Sequence, residues 1–468
     1  MGYNKITPGN LIELKNILSE EFVSVNSEVL SDYGHDETED LLFLPEVVVK
    51  PRTAEEISAI LKFANKYLVP VTARGAGTGL SGGALPVHGG IILSMERFNS
   101  ILGIDERNLQ ATVEPGVINE VFKNAVAEKG LFYPPDPASK GSCFLGGNVA
   151  ESSGGPKCVK YGTTKDYILN LEVVLPTGEI ISTGANTLKN STGYNLTQLM
   201  VGSEGTLGIV TKITVKLLPH PKYDLLMLVP FRSLDEACAA VSEVFRAGFT
   251  PSALELMERD ALDWVSRYVQ SSVVKLENDI EAHLLIEVDG NDPEVLMKAM
   301  EAIAELMAKY DTADVLFADS AAQKNELWRL RRGINEAVKN NAVSKEQDTV
   351  VPRAELPRLV KGVKAVGEKY AFKTVCYGHA GDGNLHIRLI KGDLSNEQWD
   401  GDYIKKAIAE IFSLCKELGG TISGEHGIGL VQQEYMSIVF SRKALDIQRS
   451  IKKVFDPQNI LNPGKMFG

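Results

Sequence analysis

Apolar residues recur along this chain with two periods, and the alternation between them outlines its elements. LPEVVVKP (44–51) is a β-branched run closed by proline and reads as a strand. In TAEEISAILKFANKY (53–67), Ile57, Ile60, Leu61 and Ala64 stand at helical spacing. Thr53 and Glu56 supply a capping box at its start. VPVTARG (69–75) is a strand running into glycines, so the chain opens strand–helix–strand. GGIILSM (89–95), LQATVEPG (109–116), YILNLEVVLP (167–176) and GIVTKITVKLLP (208–219) read as further strands, with a glycine-rich loop region over 134–166. Residues 1–40 read as a short helical lead-in followed by polar loop.

The second half is more regular. LLMLVPF (225–231), SALELME (252–258) and HLLIEVDG (283–290) read as strands, and SLDEACAAVSEVFRAG (233–248) as a helix. Asp292 caps a further helix with Pro293 at its first position and Leu296, Met300, Ile303 and Met307 on its buried stripe. The pattern predicts a ferredoxin-like α+β unit with helices on one face of a sheet. Pro219 and Pro221 mark a boundary. The expected organisation is a lead-in over 1–40, one domain over 41–220 and a second over 221–468, ending in a helical segment.

Length agrees, since 468 residues exceed one ordinary core. A net charge of −12 argues against nucleic acid and against a basic face for anionic lipid. No apolar run reaches the roughly 20 residues of a membrane helix, and MGYNKITPGNLIEL lacks a signal-peptide core. The expected place is the cytoplasm, or the membrane periphery through a partner. The five cysteines are scattered without a CxxC, which speaks against a disulfide framework and against an iron–sulfur cluster of the chain's own.

Two kinds of segment carry chemistry. ARGAGTGLSGGALP (73–86) contains G-x-G-x-x-G, but it runs to Pro86 and then to a strand, whereas a dinucleotide fingerprint opens a helix. Its closely spaced glycines still suit an anion, because backbone N–H groups can converge on phosphate oxygens; the bland alternative is a tight surface loop. CFLGGNVAESSGGPKCVKYGTTKDYI (143–168) and VGSEGTLGIVT (201–211) add two more such segments, which points to a large polyphosphate-containing ligand. In YGHAGDGNLHIRL (377–389), Gly-Asp-Gly-Asn is turn chemistry between two strands and can bring His379 and His386 together. SGEHGIG then sets Glu425 beside His426. These residues suit a metal site, a proton-transfer site or both; satisfied core histidines are the plain alternative. In WRLRRGINEAV (328–338), Arg329, Arg331 and Arg332 fall on a helix, and a run of this kind is ordinarily a solvated basic face.

ARGAGTGLSGG, VEPGV, PPDPAS, GGNVAESSGG, YGTTKDY, GSEGTLGI, GHAGDGNLH, SGEHGIG and NPGK occur in this order from about Leu44 onward. On these motifs the chain resembles the FAD-linked oxidases of the vanillyl-alcohol oxidase / PCMH-type superfamily. Within it the chain is most similar to the glycolate oxidase D-subunits and D-lactate dehydrogenases, with D-2-hydroxyglutarate dehydrogenases as near relatives. The resemblance implies a PCMH-type FAD-binding domain followed by a substrate domain. It assigns Arg74, Gly75, Gly77, Thr78, Gly79, Ser81 and Gly82 to the FAD pyrophosphate. Pro135, Asp136, Ser139, Gly146, Asn148, Ser152, Gly154 and Gly155 fall to the flavin side, and Gly162, Thr163, Asp166, Glu204, Gly208 and Ile209 to the adenosine end. Asn462 of NPGK joins the cofactor set. Some members attach FAD through a histidine near the first loop; none lies in 73–83, which implies dissociable FAD.

The same resemblance implies that His379, His386 and Glu425 hold a divalent metal (Zn, or Fe or Mn), that His426 is the base, and that Arg331 grips the substrate carboxylate. The implied reaction oxidises a D-2-hydroxy acid to the 2-oxo acid. Positions that bind a second carboxylate in hydroxyglutarate dehydrogenases carry Asn335, Glu346 and Arg388 here. Glu346 would repel such a group and Arg388 could bind one, which favours lactate or glycolate. A hydroxyglutarate dehydrogenase and a catalytically silent FAD-binding subunit are the alternatives. Electrons would leave to an electron-transferring flavoprotein, a quinone, a cytochrome or an iron–sulfur subunit.

Overall fold

The computed structural model describes residues 2–270, 274 and 277–467. They form two compact units that do not follow chain order. The first comprises the residues up to Gly154, Thr163–His220 and everything from Glu425 on; the second comprises Gly155–Gly162 and Pro221–Gly424.

The first unit begins with β1 (Val23–Ser24), β2 (Val47–Val49), β3 (Val71–Arg74) and β4 (Ile91–Ser94), ordered β1-β2-β4-β3 with β4 parallel to both its neighbours. The lead-in is thus more than helix and loop: it contains helices Pro8–Leu18 and Ser27–Asp32, and β1 pairs with β2. Helix Ala54–Tyr67 has the expected capping box and buries Ile57, Ile60, Leu61 and Ala64. These pack with Val47, Val49, Val71, Ile91 and Leu93 of the sheet and with Ile460 and Leu461 from the far end of the chain. That tail is stitched to β3 by Val71 N–H to Ile460 O (2.8 Å) and Asn462 N–H to Val71 O (2.7 Å). Then come β5 (Ile101–Asp105), β6 (Gln110–Val113), β7 (Leu131–Phe132), β8 (Ile168–Val174), β9 (Ile180–Ser182), β10 (Ile209–Lys216) and β11 (Leu218–Pro219). An antiparallel sheet runs β5-β6-β10-β8-β9, and β7 pairs with β11.

The second unit is built on a seven-stranded sheet. Its strands are β12 (Tyr223–Phe231), β13 (Ala253–Glu258), β14 (Ala282–Gly290), β15 (Leu316–Phe317), β16 (Ser344–Val350), β17 (Lys373–His379) and β18 (Asn384–Ile390), ordered β15-β12-β14-β13-β17-β18-β16. Helices cover both faces rather than one. Met257, Leu285, Val375 and Tyr377 pack under helices Arg259–Tyr268 and Ala321–Asn341. Glu258 points the other way, to Lys364 on helix Leu356–Lys369. The physical reason is visible in the strands: β13, β14 and β18 are buried at nearly every position, so neither face can be left to water.

Candidate active site

In the second unit the site is a polar stripe inside this core. β17 and β18 form the expected hairpin, closed by Ala380–Asp382 and by Gly383 at φ +86°. A Cβ at Gly383 would lie 1.9 Å from Val351 O, so only glycine fits this turn. The register sets Tyr377 opposite His386 and His379 opposite Asn384, and the two imidazoles meet edge-on with centroids 5.6 Å apart. Both histidines are buried.

Each imidazole turns Nδ1 toward a carboxylate. His379 Nδ1 is 2.9 Å from both oxygens of Glu255 on β13, and His386 Nδ1 is 3.1 Å from Glu346 on β16. At His379 the hydrogen bond places the proton on Nδ1 and leaves the lone pair on Nε2, the tautomer a cation requires, while His386 Nδ1 is only within ion-pair distance of Glu346. Glu255, absent from the sequence reading, is 1 % exposed and also pairs with Arg331 Nη2 at 2.7 Å. Burial alone would raise its pKa, but His379 and Arg331 outweigh burial and hold it below the usual carboxylate value.

Helix Ala321–Asn341 carries the rest. Its buried face is mostly apolar but carries a few polar contacts: Trp328 Nε1 donates to Glu287 (3.0 Å), Arg331 pairs with Glu255, and Asn335 accepts from the Tyr377 hydroxyl (3.2 Å) and from Arg388. The run of arginines therefore splits. Arg329 is a surface residue paired with Glu326, Arg332 lies over the Trp328 ring, and Arg331 is buried over Tyr377. Arg388 is fully buried, 2.7 Å from Glu346 and 3.2 Å from Ser344 Oγ. Buried Asp348, opposite His386 on β16, accepts from Ser423 Oγ (2.9 Å) and Gly424 N–H (2.7 Å). Glu425 is the next residue.

In the first unit Glu425 and His426 stand side by side, His426 Nε2 lying 3.9 Å from a Glu425 oxygen. The turn after them is fixed by Glu204, whose buried carboxylate accepts Ile428 N–H and Gly429 N–H at 2.7 Å each. Glu204 is thus engaged with the histidine-bearing segment as well as neighbouring the glycine loops. Asn462 bridges Glu204 O (2.9 Å) and Gly83 O (3.0 Å), and Leu430 N–H bonds Ser81 O (2.8 Å), which ties the C-terminal segments to the loop 73–86.

That loop runs to β4 with no helix after it, as expected from Pro86. Its glycines do different things. At Gly77, φ is +75° and a Cβ would meet the Arg74 guanidinium, which is buried beside Tyr33. Gly79 has no such demand: among the described residues nothing beyond its chain neighbours lies within 4 Å of a Cβ there, and the same holds at Gly147. Backbone left bare without a packing reason fits close approach by a ligand such as a pyrophosphate. Gly75, Thr78 and Gly82 lie in the same loop, Gly82 with its N–H on Thr38 Oγ1 (2.7 Å).

The remaining residues of the cofactor set are structurally occupied. Asp136, between Pro135 and Ser139, pairs with Lys123 (3.0 Å) and Lys140 (3.2 Å). Asn148 accepts from Asn119 Nδ2 (3.0 Å) on helix Leu145–Glu151, where Gly146 packs against Pro115 and left-handed Ser152 ends the helix. Asp166 caps Thr163 N–H (2.8 Å), Gly208 packs against Val173, and Ile209 opens β10. Gly154 ends a first-unit segment, while Gly155 and Gly162 bound an excursion of the second unit. There Lys157 binds Glu287, and Lys160 and Tyr161 bind Asp289 at 2.9 Å each. His88 packs against the Tyr3 ring, 5.2 Å between centroids.

A Gly79→Val substitution is expected to weaken FAD retention about tenfold or more, from a steric loss of about 1–3 kcal/mol at a close contact. Unfolding of the apoprotein should change little, because among the described residues nothing beyond the chain neighbours lies within 4 Å of a Cβ at this position. FAD titration by fluorescence quenching, beside a denaturant melt, checks both halves.

Likeness to known proteins shows the fold first and the family next. Over 99 % of this chain and 98 % of that one, the structure superposes on p-cresol methylhydroxylase with its substrate bound, at a TM-score of 0.81 and 19 % identity. Residues 45–184 match the FAD binding domain family, and residues 220–466 match the FAD linked oxidases, C-terminal domain. The chain belongs to the FAD-linked oxidases and is an FAD-dependent oxidoreductase. It is 41 % identical to the glycolate oxidase subunit GlcD of Bacillus subtilis, over 93 % of this chain and 92 % of the relative. It is 38 % identical to the D-lactate dehydrogenase of Anaerostipes hadrus, over 99 % and 98 %. Among the described residues no helix is long and apolar enough to cross a membrane.

Proposed function

We propose that this protein oxidises a short D-2-hydroxy acid, D-lactate or glycolate, to the 2-oxo acid. The observation that carries the reading is the buried triad His379–Glu255–Arg331 beside His386 on one face of one sheet. It joins two adjacent buried imidazoles to one guanidinium in a water-poor setting, and the names of the two relatives point to the same substrates.

FAD, dissociable since no histidine lies in 73–83, supplies the hydride acceptor when bound. His379 and His386 would hold a divalent cation, which would lower the pKa of a bound hydroxyl. Arg331 pairs with the substrate carboxylate and fixes which face of Cα is presented. His426 takes the hydroxyl proton on a ring nitrogen. A separate acceptor, an electron-transferring flavoprotein, a quinone, a cytochrome or an iron–sulfur subunit, would take the electrons, since the cysteines offer no cluster motif.

Substrate length follows from charge. Arg388 is neutralised by Glu346, which favours a monocarboxylate over D-2-hydroxyglutarate. Freeing one charged hydrogen-bond donor is worth about 1.5–3 kcal/mol. Glu346→Gln is therefore expected to raise kcat/KM for D-2-hydroxyglutarate relative to D-lactate by about 10–100-fold. Steady-state kinetics with both acids checks it. The reaction itself is tested by anaerobic mixing with D-lactate, L-lactate, glycolate and D-2-hydroxyglutarate, before and after chelation. Flavin bleaching by D-lactate or glycolate that chelation abolishes and metal restores supports the reading; flavin that none of the acids bleaches overturns it.

A further inference from the structure

Glu255 has no role in the reading of the sequence, yet it stands at the centre of the polar stripe. It sits mid-strand on β13, one residue from the Leu256–Gly378 pairing, so its backbone position leaves it facing His379 across the strand boundary. Its two oxygens are both 2.9 Å from His379 Nδ1, and one is also 2.7 Å from Arg331 Nη2. At 1 % exposure it is shielded from water, so the desolvation of its charge must be offset by those two partners. A carboxylate this deep in a sheet core is costly as mere packing, and Leu285 beside it on β14 shows what the position would otherwise carry.

We infer that Glu255 is the positioning residue that fixes both the cation-facing nitrogen of His379 and the angle of the Arg331 guanidinium. One carboxylate thereby couples the cation site to the substrate-carboxylate site. The inference rests on the proposed function for the identity of the two sites. By accepting Nδ1–H, Glu255 keeps the lone pair on Nε2 and raises the basicity of that nitrogen. By pairing with Nη2 at 2.7 Å as a buried ion pair, it holds the guanidinium beside the histidine.

The effect on binding is measured with the metal alone. Protein stripped by chelation is titrated with Zn²⁺ in competition with a chromophoric chelator, for the wild type, Glu255→Gln, Glu255→Asp, His386→Gln and Glu258→Gln. Glu258 lies on the same strand but faces Lys364, so it controls for loss of any buried carboxylate. The expected result is Zn²⁺ affinity about 10–100-fold weaker in E255Q, as for loss of a carboxylate behind a metal-bound histidine. E255D should recover part of it, and E258Q should match the wild type. In the same E255Q protein KM for D-lactate should rise as Arg331 loses its anchor, while the flavin spectrum stays unchanged. Wild-type Zn²⁺ affinity in E255Q, with H386Q still impaired, would overturn the positioning role and leave the site reading standing. Equal losses in E255Q and E258Q would also overturn it. Zn²⁺ affinity that H386Q does not alter would overturn the metal site and this inference together.

Discussion

Replacing His426 by asparagine is expected to lower kcat for D-lactate by about 10²–10⁴-fold, the usual share of a positioned general base, while FAD stays bound. Asparagine keeps the size and part of the polarity of imidazole but cannot accept a proton near neutral pH. The turn after residue 426 is held by Glu204 through the N–H groups of Ile428 and Gly429. The backbone should therefore survive the change, and the loss should appear in kcat with KM little altered. Stopped-flow bleaching of the flavin by D-lactate isolates this step from reoxidation. H426N bleaching within a few-fold of the wild-type rate would remove His426 as the base.

Arg331 should give the second large effect, and with a different signature. Losing both arms of a bidentate grip, at about 1.5–3 kcal/mol for each charged hydrogen bond, predicts a fall in kcat/KM of about 10²–10⁴-fold for Arg331→Met. The same substitution leaves Glu255 buried with His379 Nδ1 as its remaining hydrogen-bond partner. Breaking a buried pair by removing one partner costs about 3–5 kcal/mol, and the retained His379 contact places this case at the low end. Stability and activity should thus fall together in R331M. Arg331→Lys separates them: the charge beside Glu255 is kept, so stability largely returns, but an ammonium cannot form the planar fork and activity stays low. The three tryptophans, Trp264, Trp328 and Trp399, all lie in the second unit, so their fluorescence in urea reports the unfolding of that unit. If R331M keeps wild-type kcat/KM, another cation holds the substrate.

These two residues also show how far the chain could be read without its fold. The periodic helix with its capping box, the hairpin around Gly-Asp-Gly-Asn and the absence of a helix after the first glycine loop were all legible, because each rests on local rules of capping, turn geometry and spacing. The histidine segments were legible as chemistry because two histidines across a tight turn, and Glu-His between glycines, are unusual arrangements. Gly79 and Gly77 were not distinguishable as letters; only the space around each separates a bare backbone from a packed one.

What the sequence by itself determined is the order of strands and helices, the family and the candidate histidines, glutamate and arginines, since all of these reside in spacing along the chain. Partnership was decided by tertiary structure. Glu255 comes from a strand more than a hundred positions before His379, and it looks like one polar letter in an apolar run until β13 is laid beside β17. Arg331 and Arg329 stand two apart in the same basic run, and only the packing of their helix buries one and exposes the other. Arg388 and Glu346 had opposite implications for substrate length when taken singly, and strand register makes them a pair. A charge is read from one residue, but its effect depends on what faces it, and in this protein those facing groups come from distant strands.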